Sequence, residues 1–235
     1  MKNAMRKTLL TVMSMLICMG LVLSMALSCV YNKAHMAQAF RDYAQENRED
    51  ILVSDYDAIA GSIIKYLSTG KEENLPSLRG EMLFSEKENQ HLQDCSKLTR
   101  GMGYVRYASI VVVLVLFMLV MGKKDTELRK KRVDELFRCF TLGTLLLALC
   151  TIALVIWGLA GFESLFIAFH HVAFSNDLWI LDPATDLLIQ LMPYAFFVDY
   201  TAYILKTAAP ALILIFAAPI AWAVMTLKAG KAGKA

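Results

Sequence analysis

Charge is scarce in this chain: Lys, Arg, Asp and Glu make up 19% of its 235 residues, while 57% are hydrophobic. A soluble domain carries about 25% charge, so an ordinary soluble globule is excluded and a small helical membrane protein fits. The five cysteines include no Cys-x-x-Cys pair, which removes zinc-ribbon and thioredoxin-like classes. The chain also lacks a Gly-x-Ser-x-Gly elbow, a phosphate loop and a His-Glu-x-x-His helix. Serine hydrolases, nucleotide-binding enzymes and zinc proteases built on those motifs are thereby set aside. No internal repeat is visible, and the only low-complexity tract is the short Lys-Ala-Gly tail.

What the chain does have is long apolar runs. A bilayer core takes about 20 mostly apolar residues in a helix, and residues 8–30, 140–161 and 208–227 meet this outright. A fourth run, 103–122, is interrupted only by Arg106, set between Tyr104 and Tyr107. An aromatic belt is where a helix leaves the bilayer and a long cation snorkels. The pattern predicts an all-α membrane protein with four transmembrane helices and an outward-facing, partly interfacial domain.

Charge asymmetry sets the orientation. Segments 1–7, 123–139 and 228–235 carry 13 Lys and Arg against 4 acids, whereas 31–107 and 162–206 carry 11 against 17. Lys123, Lys124 and the Lys-Lys-Arg run at 130–132 place that basic segment inside, with both termini cytoplasmic. We read the basic patch as topogenic, with no nucleic-acid partner. The first apolar run exceeds the 7–15 residues of a signal-peptide core, and three more spans follow, so it reads as an uncleaved helix.

The expected organisation is a cytoplasmic N-terminus and first span (1–30), an extracytoplasmic segment (31–102), and a second span (103–122). A basic cytoplasmic loop (123–139) and a third span (140–161) follow. An extracytoplasmic, interfacial segment (162–206) precedes the fourth span and cytoplasmic tail (207–235). Leu52, Tyr56, Ile59, Ile63 and Leu67 have helical spacing, with Ser54 and Asp57 arranged like a capping box; Gly70 and Pro76 then break the chain. Ser85 and Glu88 open a second helix, and nothing beyond Gly101 and Gly103 separates it from the second span. Residues 162–181 and 187–205 are nearly as apolar as the spans yet carry Glu163, His170, His171, Asn176, Asp177 and Asp199, with Asp182-Pro183 between them. Charge alone leaves six spans open; the cost of polar groups at mid-bilayer favours four.

All four histidines, His35, His91, His170 and His171, fall on the outward side, and imidazole is the side chain suited to proton transfer near neutral pH. Glu88 and Asp94 lie three residues either side of His91, so either can hold its ring by a hydrogen bond. Residues 169–179 combine imidazole, amide and carboxylate among aromatics. His170 and His171 diverge by about 100° on a helix and cannot both face one site. Three alternatives stay open on spacing: a Cys95–His91 nucleophile pair, a zinc site from His91, His170 and an Asp, and a Cys29–Cys95 bridge.

Residues 162–200 resemble the membrane family of lipoprotein intramolecular transacylases of low-GC Gram-positive bacteria. The resemblance rests on Phe169-His170, Phe174, Asn176-Asp177, Trp179, Asp182-Pro183, Thr185-Asp186, Leu188-Ile189, Pro193 and Phe196-Phe197. A second match is Glu88, His91 and Asp94 before the second span. The chain departs at Ala173, where an aromatic is usual, and at Cys95, where an aliphatic is usual. The latter departure counts against Cys95 as nucleophile.

The resemblance implies transfer of the sn-2 acyl chain of a diacylglyceryl-modified lipoprotein to the α-amine of its N-terminal cysteine, giving the lyso form. His91 and His170 correspond to the family's catalytic pair. Asp94, Asn176 and Glu88 are then candidate orienting residues, and Phe174, Trp179 and Arg106 candidate substrate contacts; for Arg106 the plain interfacial anchor is the favoured reading. Lipoproteins and membrane lipids are the implied partners, and no cofactor or metal is implied. Another lipid-ester acyltransferase or lipase, or a non-catalytic membrane binding module, are the competing classes.

Overall fold

The computed structural model describes residues 2–44, 51–121 and 125–232. Lys123 and Lys124, read above as topogenic, and the last three residues of the tail lie outside them. The described residues form seven helices: α1 (Lys2–Val30), α2 (Lys33–Tyr43), α3 (Tyr56–Thr69), α4 (Glu86–Met121), α5 (Thr126–Ala173), α6 (Leu187–Leu191) and α7 (Tyr194–Ala232). A two-residue hairpin, β1 (Ser77–Leu78) and β2 (Glu81–Met82), is the departure from an all-α expectation; it pairs Ser77 with Met82 and Leu78 with Glu81. Its turn places both Arg79 (φ 54°) and Gly80 (φ 87°) in the left-handed region, the two-residue geometry that suits strand twist.

Three helices contain stretches long and apolar enough to cross a membrane: Ala4–Val30, Glu86–Leu119 and Thr126–Ala173. At 36 residues, α4 is about 54 Å long, well beyond the roughly 30 Å of bilayer hydrocarbon. Its polar first turns, through Arg100, therefore lie outside the apolar stretch. Gly101 and Gly103 do not interrupt it, so the helix opened by Ser85 runs unbroken into the second apolar run. Residues 126–139, expected as a basic loop, are the first turns of α5. That helix breaks at Gly161 (φ −176°, ψ 87°), which separates the apolar 140–160 stretch from the helical end bearing His170. Beyond it, residues 174–186 are irregular instead of helical, and α7 starts at Tyr194, well before the fourth apolar run.

The chain divides into two compact units. The first comprises Met1–Ser24, Tyr104–Trp157 and Ala208–Ala235. Small residues let its helices approach closely: a methyl group added at Gly20 would overlap the Ser109 side chain, and one at Gly143 would meet Ser14 and Met15. Ser14 Oγ donates to Cys139 O at 3.1 Å, Arg6 pairs with Glu135, and Phe137 stacks on Trp222. Large apolar side chains such as Phe117, Leu149 and Leu214 point outward. Small inside and large outside is the packing expected where lipid, not water, surrounds the helices.

The second unit, Met25–Gly103 and Gly158–Thr207, is built like a soluble core. Phe40, Ile59, Ile63, Tyr66, Leu92, Leu188 and Phe196 pack together in it. The C-terminal carbonyls of α3, where helical partners run out, are bonded by α4: Ser96 Oγ donates to Leu67 and adds a second bond to Tyr66, Thr99 Oγ1 donates to Leu67, and Arg100 to Thr69. Gly70 ends α3 at φ 62°, a conformation that favours glycine. The expected Ser54–Asp57 box does not form. Asp55 instead accepts from Leu52 N at 2.9 Å and from Arg79, while Asp57 pairs with Arg41. The Ser85–Glu88 cap does form, with Ser85 N donating to Glu88 Oε2 at 2.8 Å.

Candidate active site

His91 sits in the second turn of α4 and His170 in the last turn of α5, both only 7% exposed. Their rings lie 6.2 Å apart, inclined at 30°. Phe174 presents its edge to His91 at 5.1 Å and contacts His170 at 5.5 Å. Phe166 lies 4.1 Å and Trp179 4.8 Å from the His170 ring. His171 is exposed and meets only the edge of Trp179, as the 100° divergence of helical neighbours requires. His35 stacks on Tyr203 at 3.6 Å.

Hydrogen bonding distinguishes the two buried rings. His170 Nδ1 is 2.7 Å from Phe166 O. A carbonyl only accepts, so this nitrogen carries the hydrogen and Nε2 keeps its lone pair. In His91, Nε2 lies 3.6 Å from Cys95 Sγ, while Nδ1 is buried with no partner. Trp179 Nε1 is likewise buried and unpartnered. Such orphans are rare in folded proteins and cost about 1–3 kcal/mol each.

Burial, joined by the neighbouring His170, holds the His91 imidazole down to about 4, against the opposing charge of Asp94. Burial also lowers His170, partly offset by its bond to the Phe166 carbonyl. Both rings are therefore neutral near pH 7. Burial pushes the Cys95 thiol up to about 12, so it carries no thiolate to act as nucleophile.

The acidic and amide residues take other parts than expected. Glu88, 2% exposed, does not orient His91: its second oxygen accepts from Leu188 N at 2.6 Å, clasping the start of α4 to α6. Asp94 does not bond His91 either. It accepts from Lys97 and, at 2.9 Å, from Asn176 Nδ2, which ties the irregular 174–186 segment to α4. Burial would raise the Asp94 carboxyl, but these two partners outweigh it and hold it below its usual value. Lys87 fastens the same segment through Ile180 O at 2.6 Å and through Asp186. Arg106 lies in the first unit, where it bonds Tyr107 Oη and covers its ring.

Phe166 and Lys87 escaped the sequence reading. Phe166 precedes His170 by about one helical turn, but the spacing does not show that the His170 ring bonds the Phe166 carbonyl; that depends on the ring's rotamer. Cys29 and Cys95 are both free thiols, so the bridge is ruled out in this structure. Among the described residues no three His, Cys, Asp or Glu side chains are placed to hold a metal ion.

Long apolar helices together with a buried imidazole pair define an integral membrane protein with a candidate site at His91 and His170. The chain belongs to the lipoprotein intramolecular transacylase family, Lit, whose profile matches residues 9–197. Its fold is that of the membrane-integral lipoprotein intramolecular transacylase Lit from Bacillus cereus, at TM-score 0.69 and 21% identity over 99% of this chain and 100% of that one. Structures of two histidine variants of that protein also match. The alanine variant gives TM-score 0.67 at 21% identity, over 96% and 97% of the two chains. The arginine variant gives 0.61 at 19%, over 97% and 96%. No curated protein sequence matches.

Proposed function

We propose that this lipoprotein transacylase moves the sn-2 acyl chain of a diacylglyceryl lipoprotein to the α-amine of its N-terminal cysteine, using His170 as base and His91 as hydrogen-bond donor. The observation that carries this division is the difference in ring bonding: Nε2 of His170 is left as a lone pair by the Phe166 carbonyl, and His91 presents an unpartnered Nδ1. The ring centroids lie 6.2 Å apart, close enough for both imidazoles to serve one reacting centre.

Burial lowers the reference pKa of about 8 of the α-ammonium group, which gives one proton to solvent and reacts as the free amine. Its nitrogen attacks the ester carbonyl carbon while His170 Nε2 takes a second proton from it. The tetrahedral oxyanion receives a hydrogen bond from His91. Collapse breaks the bond to the glyceryl oxygen, which takes the proton back from His170. Nucleophile and ester share one molecule, so the substrate supplies proximity and no enzyme nucleophile is needed. That agrees with the missing serine elbow and with a protonated Cys95.

In the membrane, α1, α4, α5 and α7 provide four spans. Both termini and the basic start of α5 face the cytoplasm, and segments 31–102 and 162–206, which carry the histidines, face outward. The charge asymmetry between the segments supports this arrangement.

Purified protein given a diacylglyceryl lipopeptide with a free N-terminus should yield an N-acyl product of unchanged mass. His91→Ala and His170→Ala should each abolish it, while His171→Ala and Cys95→Ser keep most of it. Loss of one acyl chain to water would make the protein a lipase and sink the assignment.

A further inference from the structure

Phe166, Phe169 and Phe174 already wall the histidine pair with apolar rings. Trp179 joins them with one thing they lack, an N–H. Its indole lies 4.8 Å from His170, and its Nε1 is shut away from solvent with no hydrogen-bond partner. The turn that carries it is held from several sides. Leu178 N bonds Asn176 Oδ1 at 3.1 Å, Ile180 N bonds Asp177 O at 3.1 Å, and Lys87 anchors Ile180 O. A turn this well bonded, ending on an unsatisfied buried donor, marks a group whose acceptor arrives with a ligand. Indole N–H donates and never accepts, so that ligand atom is an oxygen or another lone pair.

We propose that Trp179 is a catalytic residue whose Nε1–H donates to the carbonyl oxygen of the ester under attack. This rests on the transacylase reading given above. With His170 Nε2 taking the proton of the attacking amine, the oxygen on the same carbon develops its charge beside the ring that Trp179 covers. The new C–N bond forms and the electron pair of the C=O moves onto oxygen. Trp179 and His91 Nδ1 then hydrogen bond that oxygen without giving up a proton. As the C–O bond to glycerol breaks, the carbonyl re-forms and the His170 proton goes to the departing oxygen. Because the oxygen is more negative in the tetrahedral state, the bond strengthens there and raises kcat more than it tightens binding.

The test compares wild type, Trp179→Phe, and the protein with benzothienylalanine at position 179, a ring of the same shape with sulfur in place of N–H. Each is assayed on the diacylglyceryl lipopeptide by mass spectrometry of the N-acyl product, with monodispersity and melting temperature as folding controls. Both replacements should lower kcat about 100- to 1000-fold with KM within about twofold. Wild-type kcat in either variant overturns the proposal. So does loss in Trp179→Phe with full recovery by benzothienylalanine, which would make the ring a wall and nothing more. A wild-type protein that leaves the lipopeptide unchanged refutes the transacylase reading itself, and the proposal falls with it.

Discussion

Removing the Glu88 carboxyl should destabilise the second unit by about 3 kcal/mol. Its two oxygens serve two backbone donors, one three residues before it and one 100 residues after it: Ser85 N at 2.8 Å and Leu188 N at 2.6 Å. The Ser85 bond is only part-buried, so in Glu88→Ala that amide regains water and the loss is about 0.5–1 kcal/mol. The Leu188 amide is buried and left without a partner, which costs about 2–3 kcal/mol. Glu88→Gln keeps one accepting oxygen but turns an NH2 toward the other amide, so it should fall between wild type and alanine. Thermal unfolding in detergent, followed with a thiol-reactive dye or by intrinsic fluorescence, reads the order wild type, Gln, Ala. Lipopeptide turnover measured well below the melting temperature should fall far less than in His91→Ala. A Glu88→Ala protein that melts like wild type but has lost turnover would refute the clasp, and would return Glu88 to an orienting role at His91.

Three further outcomes are expected. NMR of ring-labelled histidine should find His91 neutral at pH 6, with protonation displaced toward about 4. The unfolded chain takes up this proton first, near the ordinary 6.5, so stability contributed here is present above pH 6.5 and lost as the pH falls toward 4; a His91 midpoint at or above 6.5 would contradict the burial. Gly20→Leu should lower the melting temperature and the yield of folded protein, because any side chain there meets Ser109; an unchanged melting curve would show that the two helices do not pack closely. Reporters fused after Lys131 and at the C-terminus should read cytoplasmic and one inserted near Glu73 external; an external signal after Lys131 would invert the topology.

The sequence by itself determined the features that depend on local, additive terms. Apolar runs of span length, the excess of cations beside them and the Ser85–Glu88 cap each depend on residues a few positions apart, so periodicity and charge counting suffice. The uninterrupted passage from the Ser85 cap into the second apolar run was legible for the same reason. The separation of His170 from His171 needed only the 100° step of a helix. Tertiary structure alone decided where the polar side chains went. Asp94 and Glu88 are equally placed around His91 by spacing, yet Asn176, 82 residues on, takes one and Leu188, 100 residues on, takes the other. Asp55 displaced the expected Ser54–Asp57 box because Arg79, 24 residues away, adds a second contact to it. The end of α5 at residue 173 and the irregular segment after it follow from those same anchors, which bind 174–186 to α4 instead of letting an apolar stretch continue as helix. A side chain's partner is fixed by which distant backbone the fold delivers to it, and no local pattern carries that information.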